Sequence, residues 1–298
     1  MQRKVKDGTY LITNDLVLKT ESVVGPLPER LKAELKSLGD EFVKEFWHTA
    51  GIPESVATFE LDGNNIRDEL EGLLRETNYP IVSLDRVYIT PKTPGVVFYI
   101  DVTRLTDPNT GTVKLAPRPG KKPIDEQIKE LKNLVDNSPV ALVDIGVFEG
   151  NTLLTAIDAM RRGGVSISEI YLGVSSRGFE SKVGGKSKVS IANMFDLFEW
   201  IELRDLVGMD GRKVGLDQNG VLEYMPYWEN LEEWASVPKE NVSATKQLCI
   251  KYYNRIADIL AKEGYDIKAF GKPVELKTGI LDLVRGKKNR EQAENKVV

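Results

Sequence analysis

One cysteine and one histidine are all that 298 residues supply of the two most versatile catalytic and metal-binding side chains. A lone Cys249 cannot form an internal disulfide, and a lone His48 leaves no room for most histidine-based zinc sites. Ser-His-Asp hydrolysis would have to run through His48 alone. That residue stands in KEFWHTAG near the end of an expected helix, where an imidazolium favours the last carbonyls, so a structural role is the simpler reading. Cys249 falls among apolar residues at helical spacing without a basic neighbour to lower its pKa, which makes it a core residue. No apolar run approaches the roughly 18 residues of a membrane helix, and no apolar segment follows the basic start MQRKVKDGTY. A cytoplasmic protein without membrane partners is therefore expected. Positive charge is not in excess either: the net charge is -4, so nucleic acid is not an expected partner without a local basic patch.

What the chain does have is 41% hydrophobic and 29% charged residues, the composition of a globular fold. GTYLITNDLVLKT reads as a strand pair turned near Asn14 and Asp15. From Pro28, Leu31, Leu35, Leu38, Phe42 and Phe46 recur at helical spacing. ESVATFEL reads as a strand and NNIRDELEGLLRETN as a helix. PIVSLDRVYITP and GVVFYIDVTRL read as two strands suited to a hairpin. TDPNTGTVKLAPRPGKKP, dense in Pro, Gly and basic residues, reads as a charged surface loop, and IDEQIKELKNLVDNS as a helix. Then comes a strand VALVDI, a loop, a helix NTLLTAIDAMRRGG and a strand EIYLGVSS. Unbroken apolar strands are buried on both faces, which argues for an α/β fold with a parallel sheet covered by helices. SIANMFDLFEWIEL reads as a helix, GRKVGLDQNGVLEYMP as a hairpin about an Asn-Gly turn, and the stretch around Leu248, Tyr252, Ile256 and Leu260 as a long helix. The expected organisation is an N-terminal α+β addition (1 to 78), a core (79 to 205), a C-terminal hairpin and helical addition (206 to 284) and a frayed tail (285 to 298).

Chemistry concentrates where VALVDI meets the next helix. The first turn of a helix carries amides without intrahelical partners and a partial positive charge, which together favour an anion. Gly146 and Gly150 free the backbone for close approach, Thr152 adds a hydroxyl, and Asp144 sets an acceptor at the strand end. SKVGGKSK is no Walker A loop, since the first glycine of that pattern would fall on Glu180. Tyr224, Tyr227, Trp228 and Trp234 suit either core packing or stacking on a planar ligand.

The run DIGVFEGNT, residues 144 to 152, preceded by VALV and followed by LLTAIDAMRRGG, resembles the phosphoribosyl pyrophosphate-binding motif of the type I phosphoribosyltransferases. The resemblance spans about residues 139 to 176, with weaker support from the strands between 80 and 104. It implies a phosphoribosyltransferase-like core that binds a phosphorylated ribose compound, with Mg2+ as helper ion and a pentosyl transfer to a nitrogenous base. Asp144 would contact the ribose hydroxyls, and Gly146 with Phe148, Glu149, Gly150, Asn151 and Thr152 would surround the 5'-phosphate. Arg86 and Arg104 would meet a pyrophosphate, and the segment carrying Lys114, Arg118, Lys121 and Lys122 would be the mobile loop over the reacting centre. The resemblance leaves room for a homodimer. Two positions depart from the motif: Ile145 replaces its second acid, and Glu149 stands in the phosphate-wrapping segment. A carboxylate about 4 Å from a phosphate is repelled by about 4 kcal/mol at an effective dielectric of about 20. Either the ligand differs from the family's, or the chain is a catalytically silent member that senses a ligand or serves in assembly.

Overall fold

The computed structural model describes residues 8 to 109, 112 to 183 and 187 to 276, so the tail expected at 285 to 298 and the end of the C-terminal addition lie outside the described residues. In chain order the elements are β1 (Thr9–Asn14), α1 (Leu16–Val24), α2 (Glu29–Ala50), β2 (Ala57–Asp62), α3 (Gly63–Leu74), β3 (Ile81–Ser83), β4 (Val96–Tyr99), β5 (Val102–Thr106) and β6 (Val113–Pro117). They continue with α4 (Ile124–Val135), β7 (Val140–Val147), α5 (Asn151–Arg162), β8 (Ile167–Ser176), β9 (Lys188–Phe195), β10 (Leu197–Glu202), α6 (Leu203–Leu206), β11 (Arg212–Leu216), β12 (Leu222–Met225), α7 (Leu231–Trp234), α8 (Val242–Lys262) and β13 (Lys272–Pro273).

The apolar strands make the expected α/β core. Strands β4, β3, β7, β8 and β9 form one parallel sheet in that order. On one face Leu142 and Val140 pack with Ile128, Leu131, Leu153, Ile157 and Met160 from α4 and α5. On the other, Ala141, Val143 and Ile145 meet Ile66 and Leu70 of α3 with Tyr88 and Ile89. Strict alternation of these contacts along β7 is why that strand contains almost nothing but apolar residues.

A second parallel sheet, β10-β1-β2, continues the first: β10 follows β9 across Asp196, whose carbonyl accepts the Thr9 amide at 2.8 Å. Helices α2 and α8 pack on it, with Phe42, Phe46, Tyr252 and Ile256 fully buried. The third sheet, β13-β12-β11-β5-β6, mixes parallel and antiparallel pairs. Backbone ladders therefore join β1 to β10 and β5 to β11, on either side of the boundaries at 78 and 205.

Several local expectations fail for a shared reason, which is that long-range strand pairing outweighs local propensity. SIANMFDLFEWIEL is not a helix but β9 and β10, which fill the places between β8 and β1. The segment after Asn14 is helix α1 rather than a returning strand, because β1 finds both of its neighbours, β2 and β10, in parallel. No hairpin joins β3 and β4; they pair in parallel. The hairpin lies one strand later, between β5 and β6, so Val113 to Pro117 of the expected loop is ordered as a strand. The Asn-Gly hairpin of β11 and β12 is where the sequence places it.

Candidate functional site

Strand β7 ends at Val147, and the chain turns through Phe148 and Glu149 to Gly150, which adopts φ +90° before α5 begins. The first helical bond runs from the Leu154 amide to the Gly150 carbonyl at 2.9 Å, which leaves the amides of Asn151, Thr152 and Leu153 at the open N-terminus of α5. The turn is braced by Ser176 Oγ donating to the Phe148 carbonyl at 2.9 Å and Lys182 Nζ donating to that of Glu149 at 3.2 Å. Both glycines have steric reasons to be glycine, and both reasons lie within the protein. A Cβ on Gly150 would stand 2.5 Å from the Phe179 ring, and one on Gly146 would stand 2.1 Å from the indole of Trp200. That indole lies against the strand end and donates from Nε1 to Thr13 Oγ1 at 3.0 Å.

Asp144 opens into the cavity formed here. Burial pushes its carboxyl up to about 7, reinforced by Asp85, while the Ile145 amide, Arg118 and Arg104 pull it down. The Ile145 amide donates to Asp144 Oδ1 at 2.9 Å. Ile145 itself points to the opposite face of the sheet and is buried in the cluster under α3.

The cavity has a volume of about 590 Å³ and lies where the three sheets converge. One wall is the β7 end with residues 148 to 153; another is Arg104, Val113 and Leu115 of the β5-β6 hairpin. Facing them are Glu199, Trp200 and Glu202 of β10, Asp205 of α6, Arg212 of β11, then Tyr227, Glu233 and Trp234. The Arg212 guanidinium lies 5.5 Å from the Tyr227 ring centre and 5.4 Å from that of Trp234. Burial lowers its pKa, with Arg104 among the contributing charges.

Beneath this second wall is a buried ionic network. Arg204 pairs with Asp15 and, through Nη2 at 2.6 Å, with Glu202 Oε2. Lys19 reaches Asp210 at 2.8 Å, and Lys213 pairs with the same carboxylate. Burial raises Glu202 against the opposing pull of Arg204, and burial together with Arg204 brings Lys19 down to about 8. Glu202 Oε1 is buried and receives no hydrogen bond among the described residues.

The residues singled out from sequence divide clearly. Asp144, Gly146, Phe148, Glu149, Gly150, Asn151, Thr152 and Arg104 all line the one cavity. Glu149 is exposed, its carboxylate accepting from Asn151 Nδ2 at 3.3 Å. Arg86 is bound away from the cavity lining in a bidentate pair with Asp101 at 2.6 and 2.8 Å, its guanidinium over Tyr99. Arg118 donates to the Leu84 carbonyl at 3.2 Å and lies 3.8 Å from Asp101. Lys114, Lys121 and Lys122 are exposed, and Lys122 pairs with Glu130 on α4. Of the four aromatics, Tyr227 and Trp234 reach the cavity, whereas Tyr224 is buried with its hydroxyl donating to the Gly208 carbonyl, and Trp228 packs on Gly208. His48 is exposed in the last turn of α2, and the buried Cys249 thiol is pushed well up. The β10 wall went unforeseen because its strand reads as a helix; the period-two placing of Phe198, Trp200 and Glu202 was the available signal.

Among the described residues no group of three or more His, Cys, Asp or Glu side chains is disposed to hold a metal ion, and no helix is long and apolar enough to cross a membrane. No family model matches the chain, and no curated protein does. The chain is similar to a solved structure of UMP synthase from Leishmania donovani at 12% identity and a TM-score of 0.28, over 75% of this chain and 45% of that one. It thus spans under half the length of that protein.

Proposed function

We propose that the cavity at the end of β7 binds a phosphorylated ribose compound, the phosphate on the amides opening α5 and the ribose hydroxyls on Asp144. One observation carries the reading: the open helix N-terminus behind a left-handed Gly150, the strand-end carboxylate of Asp144 and the guanidinium of Arg104 line a single cavity. Amides and a nearby arginine favour an anion, and a carboxylate accepts sugar hydroxyls. Glu149 does not oppose this by necessity, since it lies on the exposed rim with its carboxylate on Asn151.

Phosphoribosyl transfer to a nitrogenous base is the activity this reading favours. Displacement at the anomeric carbon depends on electrostatic placement more than on a strong base, so the scarcity of histidine is no obstacle. Mg2+ belongs to the proposal as a companion of the ligand's phosphates rather than as an ion caged by protein, since Mg2+ commonly sits on one or two carboxylates and substrate phosphates. Incubation with phosphoribosyl pyrophosphate, Mg2+ and a panel of bases is expected to release pyrophosphate. A second reading, a silent ligand-binding member of the same fold, is favoured by Ile145, whose side chain is buried on the opposite face of the sheet and leaves Asp144 without its neighbouring acid. In that case ribose phosphates raise the melting temperature while no pyrophosphate appears. Absence of both turnover and a melting shift would refute both readings.

A further inference from the structure

The strand registers set Arg104 and Arg212 side by side in the cavity wall. Lys213 pairs with Leu105 in the parallel ladder of β11 and β5, so Arg212 and Arg104, each one residue earlier, share the opposite face on strands about 4.8 Å apart. Arg104 in turn lies opposite Leu115 in the β5-β6 ladder, and Val113 is two residues along on the same face as Leu115. All four line the cavity, so two guanidiniums stand beside two apolar side chains.

Neither guanidinium comes within 4.0 Å of a carboxylate among the described residues. Arg212 Nε is buried without an acceptor, and the guanidinium rests against Tyr227 and Trp234, rings that attract a cation without neutralising it. Like charges abreast on neighbouring strands destabilise a sheet, and a buried charged donor without an acceptor adds a desolvation cost. An anion between the two arginines answers both. The acids of the lining do not supply it. Glu202 is paired with Arg204, Glu199 accepts from Ser236 Oγ at 2.6 Å, and Glu233 has a partner as well. Asp144 and Glu149 belong to the β7 end, on the Ile145 amide and on Asn151. Asp205 remains, one carboxylate against two guanidiniums and paired with neither.

We propose that Arg104 and Arg212 form an anion subsite for the carboxylate of a planar organic acid, whose ring lies against Val113 and Leu115. Guanidiniums match a carboxylate with paired N–H donors, and the apolar neighbours favour a ring over a fully hydrated inorganic anion. Within the phosphorylated-ribose reading this is the place of the acceptor, and the subsite keeps its own contacts if that reading fails.

The test is calorimetric titration of the full chain at neutral pH with two matched pairs, orotate against uracil and nicotinate against nicotinamide, together with ribose 5-phosphate and inorganic pyrophosphate. Each ring carboxylate is expected to bind at least about tenfold tighter than its uncharged counterpart. Arg212→Met and Arg104→Met should each remove most of that preference. Asp205→Asn, which removes the opposing acid, should tighten the carboxylates several-fold, a gain that a misfolded chain cannot produce. Equal affinity within both pairs overturns the inference, as does a preference that survives in both arginine variants. Pyrophosphate binding that is lost in Arg212→Met, with neither ring carboxylate bound, also overturns it. Carboxylate binding without ribose 5-phosphate binding upholds the subsite and removes the phosphate reading. Ribose 5-phosphate binding without a carboxylate preference does the reverse, and silence from every probe removes both.

Discussion

Two strand ends face each other across the cavity, and they are built on opposite principles. At the end of β7 the polar work is done by backbone amides and one carboxylate, set on a strand whose residues are otherwise apolar. At the end of β10 it is done by charged side chains, Glu202 on Arg204 and Arg204 on Asp15, buried at the junction of two sheets. A helix N-terminus presents donors without burying a formal charge, so the first design carries little desolvation cost. Buried ions are costly to desolvate and tolerate no missing partner. Disruption should therefore act mainly on stability at β10 and mainly on ligand affinity at β7.

The largest expected effect is Arg204→Met, which leaves Asp15 and Glu202 buried without their counter-charge. A loss of about 3–5 kcal/mol is expected in chemical denaturation, and a variant as stable as the parent would place the network outside the energetics of the fold. Next is Gly146→Ala, whose new methyl meets the Trp200 indole at 2.1 Å. Denaturation should report about 1–3 kcal/mol of destabilisation, and Trp200→Phe in the same chain should recover part of it.

Asp144→Asn reverses the sign. Burial pushes its carboxyl up to about 7 in the folded state, well above the ordinary aspartate range, so the native state holds this proton more tightly than the unfolded chain does. Below the unfolded pKa the group costs nothing, and stability is lost as pH rises through the window up to about 7. Melting curves should find Asp144→Asn more stable than the parent by about 1 kcal/mol near pH 8 and equal to it near pH 4. A constant difference across pH would contradict the assignment. The smallest effect belongs to Glu149→Gln on the exposed rim. Its stability should stay within about 0.5 kcal/mol of the parent, while ribose 5-phosphate binds several-fold tighter once a negative charge beside the phosphate is gone.

The same contrast accounts for what could be read in the sequence. The β7 unit is local: an apolar run, Gly150 and an amphipathic helix lie consecutively, so VALVDI, the loop and α5 were all legible. Arg104 lies on the cavity lining, on a strand beside that unit, whereas Arg86 is held away from it by Asp101, across a turn whose path the sequence does not specify. The β10 wall depends on a strand whose ladder partner is β1, far from it in sequence, and the run of residues 190 to 203 that holds β9 and β10 satisfies a helical pattern equally well. Arg204 and Asp15 meet across 189 positions, and no local pattern announces that pair. Gly146 was legible as a required glycine, but its neighbour Trp200 was not.

The central claim is that the amides opening α5 hold a phosphate. Backbone amide NMR of the full chain during titration with ribose 5-phosphate tests it most directly. Saturable shifts concentrated at residues 150 to 153, with Asp144 responding as the ribose seats, are the predicted result. Shifts confined to other segments, or none at concentrations that saturate ordinary phosphate sites, would contradict it.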